Sequence, residues 1–337
     1  MPGDFDIVKH YGELLQRDEH LAMPVAAIES LAQVVARSDA STMTELISEL
    51  ESGAALLRKA SFNPVSLSAG ADLFLRFVTL QRPSAHQSFS VHKRNLVQRA
   101  NDFVNDSHKC VEKIVGFATG MIKDDAVILT HSYSRVVTQS LLHAARQRKR
   151  VTVYVTEARP FGLGIKTHAI LTKAGIPCQV ILDSAVAFAM PQVDMVLLGA
   201  EALAENGGLI NFIGGYQMAL AAKHADKPVY ALAESFKFVR LFPLNQNDVP
   251  RAFPVLQFTD DEDEDLSARD KVKIPPTPVR PLVDSPTPEA LQMSTAQIQN
   301  NPLIDYTTPD LVTLVISDVG ILTPSGVSDT LLRVFSG

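Results

Sequence analysis

Hydrophobic spacing changes character once along this chain. Up to about residue 122, apolar positions recur at the helical period, most clearly at Met43, Leu46, Ile47, Leu50, Ala54 and Leu57, which follow i, i+3, i+4, i+7. Thr42 and Glu45 stand at this stripe's start in the S/T-x-x-E relation, in which each side chain satisfies a backbone N–H that the first turn leaves without a partner. Val25, Ile28, Leu31 and Val35 form a second stripe, and Leu96, Phe103, Val104, Val111, Ile114 and Val115 predict one or two more helices. Residues 1–122 are thus expected to be a helical bundle. From about Ala126, short runs that are apolar at nearly every position alternate with helical segments: Ala126–Thr130, Val151–Val155, Gln179–Leu182, Met195–Leu198, Val229–Ala233 and Val312–Ile316. Strands with two apolar faces belong in a parallel sheet covered by crossover helices on both sides. The expected class is α/β, an N-terminal helical bundle followed over 123–337 by a Rossmann-like, doubly wound parallel sheet.

A chain of 337 residues, 46% of them hydrophobic, can bury a sizeable core. No run approaches the roughly 18 uninterrupted apolar residues that span a bilayer. Met1-Pro2-Gly3-Asp4 offers neither the basic flank nor the apolar stretch of a signal peptide, so a cytoplasmic address without membrane contact is expected. The net charge of −6 is concentrated: residues 258–300 hold nine acidic and four basic residues, which leaves the remainder near −1. A body so close to neutral is poorly suited to holding nucleic acid by its phosphates. Its densest basic run, Arg146-Gln147-Arg148-Lys149-Arg150, reads as a helix end, where cations complement the dipole. The acidic block Asp260 to Asp265 and the prolines from Pro275 to Pro288 mark 258–300 as a disordered insertion between the fifth and sixth strands. Cys110 and Cys178 lie far apart without ligand spacing, so no disulfide framework or zinc site follows.

In an open parallel sheet, ligands bind beyond the carboxyl ends of the strands. Those positions are polar throughout: His131-Ser132-Tyr133-Ser134-Arg135, Thr156-Glu157-Ala158-Arg159-Pro160, Asp183-Ser184, Gly199-Ala200-Glu201, Glu234-Ser235 and Ser317-Asp318. Asn206-Gly207-Gly208, Asn211 and Gly214-Gly215 lead towards a helix over Tyr216–His224, and the segment reads either as a loop whose amides cradle a phosphate or as an ordinary turn. A small phosphorylated ligand is the expectation. Other chemistries fall away. Ile165 stands where a P-loop needs glycine before Lys166, no G-x-G-x-x-G follows the first strand, and neither G-x-S-x-G nor H-E-x-x-H occurs.

Ile128 to Val137 (ILTHSYSRVV), Val155 to Pro160 (VTEARP), Gly199-Ala200-Glu201, Glu205 to Gly208 (ENGG) and Ile213-Gly214 together resemble one protein family. It unites the isomerases of methylthioribose 1-phosphate and ribose 1,5-bisphosphate with the regulatory subunits of eukaryotic translation initiation factor 2B. Ala233 to Gln246 (AESFKFVRLFPLNQ) and Leu322-Thr323-Pro324-Ser325 are similar to the alpha branch of the regulatory group, and the likeness spans nearly the whole chain apart from 258–300.

The isomerases of this family carry a cysteine just after Thr-His and an aspartate after Gly-Ala, where this chain has Ser132 and Glu201. A serine hydroxyl does not ionise near neutrality as a thiol of pKa about 8.5 can. Glutamate keeps the carboxylate but moves it, and a displacement of about 1 Å can cost about 100-fold in rate. Phe212 replaces a lysine common in the family. The resemblance therefore implies a non-catalytic regulatory subunit of the guanine nucleotide exchange complex for initiation factor 2. Such a subunit would form a homodimer through the α/β domain, bridge the beta, gamma, delta and epsilon subunits, meet the alpha subunit of factor 2 and help sense its phosphorylation. Its pocket, a vestige of an isomerase site without cofactor or metal, would hold a small sugar phosphate through Ser132, Tyr133, Ser134, Arg135, Glu157, Arg159, Glu201, Asn206, Gly207, Gly208, Asn211 and Glu234. The alternatives are an active aldose–ketose isomerase and an unrelated ligand sensor. Phe236 to Leu244 has the aromatic-plus-arginine composition of an interface and equally that of a buried segment.

Overall fold

The computed structural model describes residues 5–18, 21–61, 63–81, 88–251, 255–256 and 293–336. Five helices open the chain: α1 (Ile7–Arg17), α2 (Met23–Arg37), α3 (Met43–Ala60), α4 (Pro64–Leu80) and α5 (Phe89–Met121). The capping box at Thr42 and Glu45 is formed, with Glu45 N donating to Thr42 Oγ1 and the Glu45 carboxylate accepting from Thr42 N. Where the stripes between Leu96 and Val115 left one or two helices open, there is a single helix of 33 residues. Leu31, Leu46, Leu50, Leu57, Leu67 and Leu96 close the core of the bundle. At one crossing α2 and α4 meet backbone to backbone, and a Cβ on Gly70 would stand 2.1 Å from the Pro24 carbonyl oxygen.

The second part alternates β1 (Ala126–His131), α6 (Arg135–Arg146), β2 (Val151–Thr156), α7 (Leu163–Lys173), β3 (Cys178–Ile181), the single turn α8 (Val186–Ala189) and β4 (Met195–Gly199). After the short strands β5 (Ala202–Ala204) and β6 (Leu209–Phe212) come α9 (Gly215–His224), β7 (Val229–Leu232) and β8 (Phe238–Val239). The described chain ends with α10 (Thr295–Gln299), β9 (Ile304–Thr307), β10 (Leu314–Ser317), β11 (Gly320–Leu322) and α11 (Gly326–Ser336). Seven strands form the main sheet in the order β11-β10-β7-β4-β1-β2-β3, all parallel except β11. Each of the six expected runs is one of its parallel strands. Ile128 and Leu129 show why periodicity found them: adjacent residues on opposite faces of β1 are both fully buried.

A second sheet, β8-β5-β6-β9, was not foreseen. Its face packs on α4: Val65 and Ala69 join Ala202, Ala204, Ile210 and Tyr306 in one core, while Leu67, Ala71 and Phe74 of the same helix lie in the bundle core. The sequence also places the acidic, proline-rich insertion over 258–300. Residues 257–292 lie outside the described residues, and 293–300 correct the boundary, because Ser294 and Gln297 form a capping box that starts α10. The basic run ends α6 as expected, and it does more. Lys149 Nζ donates to Thr119 O and Ile122 O at 2.7 and 2.6 Å, closing the C-terminus of α5, and Arg150 pairs with Asp124 and Asp125.

Candidate functional site at the switch point of the sheet

From β1 the chain winds outward through β2 to β3, then returns to the other side of β1 for β4, β7 and β10. Strand order therefore reverses between β1 and β4, and the crevice of a doubly wound sheet opens at the carboxyl ends of that pair. Ser132 follows β1 and Glu201 follows β4, so the reversal sets them on the two sides of the crevice. Gly199 makes this approach possible: a Cβ there would stand 2.2 Å from Ser134 Oγ. Ser134 in turn caps α6, its Oγ accepting from Val137 N at 3.4 Å.

Ser132 is buried, with a left-handed backbone at φ 58°, a conformation that costs a non-glycine residue about 1 kcal/mol or more. Its carbonyl accepts from Thr167 Oγ1 at 2.7 Å, whereas its own Oγ has no hydrogen-bond partner among the described residues. Among the described residues none lies within hydrogen-bond reach to take its proton. The neighbouring His131 is turned elsewhere, with Nδ1 2.6 Å from Thr156 Oγ1, and burial holds its pKa below the usual histidine value despite the opposing charge of Asp183. Asp183 also shapes the loop after β2 by accepting from Ala158 N and Arg159 N at 2.9 and 2.8 Å. Arg159 itself points outward, its Nε 4.0 Å from Glu157 Oε2, and the Lys166 ammonium lies 4.5 Å from the centre of the Tyr133 ring.

Across the crevice, Glu201 Oε2 accepts from Asn63 Nδ2 at 2.8 Å. Burial raises its pKa, partly offset by the charges of Lys237 and Arg135. Those two cations converge on Glu234, which is fully buried at the end of β7. Arg135 Nη2 lies 3.4 Å from Oε1, and Lys237 Nζ lies 2.9 Å from Oε2, an ion pair off the angle of a good hydrogen bond. Burial pushes the Glu234 carboxyl up, but Lys237 and Arg135 outweigh it and keep the group below its ordinary value and ionised. Lys237 also donates to Ala200 O at 2.8 Å, tying this cluster to the turn that carries Glu201. The structure thus brings half-buried Arg135 and Lys237 onto the buried Glu234 and ties them through Ala200 O to the turn of half-buried Glu201, while Arg159 and Glu157 pair separately.

The glycine-rich segment is built differently from the expected cradle. Asn206-Gly207-Gly208 closes the hairpin between β5 and β6: Asn206 Nδ2 donates to Tyr306 Oη and Pro243 O at 2.7 and 2.9 Å, and Gly207 holds φ 86°. A Cβ on Gly207 would stand 2.1 Å from Pro324 O, and one on Gly208 2.3 Å from the Tyr306 ring, so these glycines serve packing. The amides at the start of α9 are also occupied. Asp305 Oδ2 on β9 accepts from Gly214 N and Tyr216 N at 2.7 and 3.0 Å, so the chain supplies its own anion where a phosphate was expected. Asn211 is buried beside them. The stretch Phe236 to Leu244 divides, since Phe236 and Phe238 are buried while Phe242 and Leu244 are 65% and 77% exposed.

Sequence reasoning passed over Asn63, Lys237 and Asp305. Lys237 stands one helical turn after Glu234, a spacing that could have flagged it. Asn63-Pro64 reads as a helix start and gives no hint of a partner 138 positions away. Among the described residues no group of three or more His, Cys, Asp or Glu is placed to hold a metal, and no helix is long and apolar enough to cross a membrane.

This geometry has relatives. The model of the initiation factor 2 subunit family matches residues 16–324. The chain is 39% identical over 334 residues to translation initiation factor eIF2B subunit alpha of Dictyostelium discoideum, covering 98% of each. It is 29% identical over 314 residues to ribose 1,5-bisphosphate isomerase of Pyrococcus furiosus, covering 92% of this chain and 87% of that one. The fold matches a chain of the eIF2B beta2-delta2 complex of C. thermophilum with a TM-score of 0.69 at 20% identity, covering 97% and 94%. With the doubly wound sheet and the helical bundle in place, the chain belongs to the initiation factor 2 subunit family.

Proposed function

We propose that this protein is the alpha-type subunit of the nucleotide exchange complex for translation initiation factor 2, regulatory and not itself catalytic, with an inherited isomerase-like pocket that binds a small sugar phosphate. Ser132 carries the reading. Aldose–ketose conversion needs groups that take and return protons, and here the position after Thr130-His131 is a hydroxyl whose Oγ has no hydrogen-bond partner among the described residues. The pocket keeps what binding needs: a carboxylate to accept sugar hydroxyls and cations, Arg159 and Lys166, at its edge for a phosphate. In this reading the subunit dimerises through the α/β domain, bridges the beta, gamma, delta and epsilon subunits in the cytoplasm, and helps the complex respond to phosphorylation of the alpha subunit of factor 2 in the integrated stress response. Leu182 and Phe188, 60% and 84% exposed beside the edge strand β3, supply an apolar face for dimerisation.

The test is affinity purification of the tagged full chain from its cells, followed by mass spectrometry and sedimentation. Copurification of the four other subunits and a dimeric mass are expected, and a partnerless monomer overturns the proposal. A second reading, an active sugar-phosphate isomerase, draws on the similarity to the archaeal enzyme. Interconversion of ribose 1,5-bisphosphate or methylthioribose 1-phosphate by the purified chain would establish it, and absence of turnover at high enzyme concentration would remove it.

A further inference from the structure

Glu201 is held from outside its own domain. Asn63 is the N-cap of α4: its Oδ1 accepts from Ser66 N at 3.2 Å while its Nδ2 donates to Glu201 Oε2 at 2.8 Å, and the residue is 1% exposed. A single amide therefore joins the start of a bundle helix to the carboxyl at the switch point. Only a side chain with both an acceptor and a donor serves the two partners at once. The Ser66 hydroxyl, in the first turn of α4, bonds to the same carboxyl. Nor is α4 free to drift. Gly70 locks it against Pro24, Leu67 and Phe74 anchor it in the bundle, and Val65 and Ala69 anchor it in the second sheet.

We infer that Asn63 is a positioning residue of the Glu201 pocket, so that ligand occupancy there and the order of the first turn of α4 are coupled. The inference takes from the proposed function only the class of ligand. A carboxylate offers about four acceptor positions, and the Asn63 amide and the Ser66 hydroxyl occupy two, leaving the rest for a sugar hydroxyl. Because the carboxyl is already fixed, less freedom is lost when the ligand arrives. Coupling is reciprocal, so a ligand that fixes Glu201 also steadies Asn63 and the helix it caps. The charged and titratable groups that act on this carboxyl are Lys237, Arg135, Glu234 and, from α1, Tyr11.

The full chain is titrated with ribose 1,5-bisphosphate by calorimetry and thermal shift, beside two variants. Asn63→Ser keeps an N-cap oxygen but falls short of Glu201. Asn63→Asp keeps cap and length but sets one carboxylate against another. Asn63→Ser is expected to bind the probe about 10- to 100-fold more weakly while the probe-free melting temperature stays within a few degrees, as loss of one hydrogen bond to a charged group predicts. Asn63→Asp is expected to be weakest at pH 8 and to recover towards pH 5.5, when the two carboxyls share a proton, a pattern that a purely structural role would not produce. Wild-type affinity in Asn63→Ser overturns the inference. If the wild-type chain itself ignores the probe, the sugar-phosphate reading fails separately, and the coupling is decided without ligand. Glu201→Ala must then speed hydrogen exchange at the Ser66 and Leu67 amides about 10-fold or more, and unchanged exchange there overturns it.

Discussion

Replacing Asp305 with asparagine should stabilise the protein above neutral pH, even though a negative charge at a helix start is ordinarily favourable. Asp305 is buried, its Oδ2 receiving Gly214 N and Tyr216 N while Oδ1 has no partner among the described residues. Burial raises its pKa from 3.8 to about 7, against the pull of those amides. The folded value lies above the unfolded one, so the native state favours the neutral acid. The resulting stability is complete below about pH 4 and is lost as the pH climbs through about 7. At about 1.4 kcal/mol per pH unit, a gap of about three units sets an upper figure of about 4 kcal/mol. Asparagine keeps an oxygen for the two amides and cannot ionise, but its NH2 group inherits the place without a partner and costs about 1–2 kcal/mol. Urea denaturation of both proteins at pH 5.5, 7 and 8.5 measures the balance. Asp305→Asn should be equal or weaker at pH 5.5 and about 2 kcal/mol stronger at pH 8.5. Parallel pH dependence in the two proteins would refute this account of the carboxyl.

Gly207→Ala should cost about 3 kcal/mol by the same denaturation assay, from a left-handed backbone and a Cβ that collides with Pro324 O, and a loss under 1 kcal/mol would mean that the hairpin yields freely. Lys149→Met keeps the aliphatic stem but strips the two carbonyls at the end of α5 of their ammonium; a loss of about 2 kcal/mol is expected, with faster exchange over the last turn of α5. Phe188→Asp sits at a site too exposed to matter to the monomer, so its stability should stay within about 0.5 kcal/mol while sedimentation shows half the wild-type mass; an unchanged mass would move the dimer face elsewhere.

The six parallel strands were legible because burial on both faces writes itself into sequence as an unbroken apolar run, as in Val196-Leu197-Leu198 of β4, all fully buried. The second sheet was not. β5 is three residues with small side chains at its ends, β8 is two residues long, and β6 pairs Ile210 with Tyr306 across the insertion, so nothing local announces them. Strand ends singled out Ser132 and Glu201 because in a doubly wound sheet topology alone says where a crevice is to be expected. Asn206-Gly207-Gly208 misled because a hairpin turn and an anion cradle both call for glycine at positive φ, and only Tyr306 and Pro324, about 100 residues further on, decide between them. Asn63 was invisible as a site residue because its capping role already accounts for an asparagine before a proline.

The double allegiance of α4 has a consequence for the ribosome. When the helices emerge, Leu67 and Phe74 can find bundle partners at once, but Val65 and Ala69 wait for Ala202, Ala204, Ile210 and finally Ile304. Those residues are made about 140 to 240 positions later, which at roughly 5–20 residues per second is on the order of 10–50 s of synthesis. Through that interval the nascent chain presents a stripe of uncovered apolar surface, and chaperone attendance on this protein should begin at α4 and end only with β9.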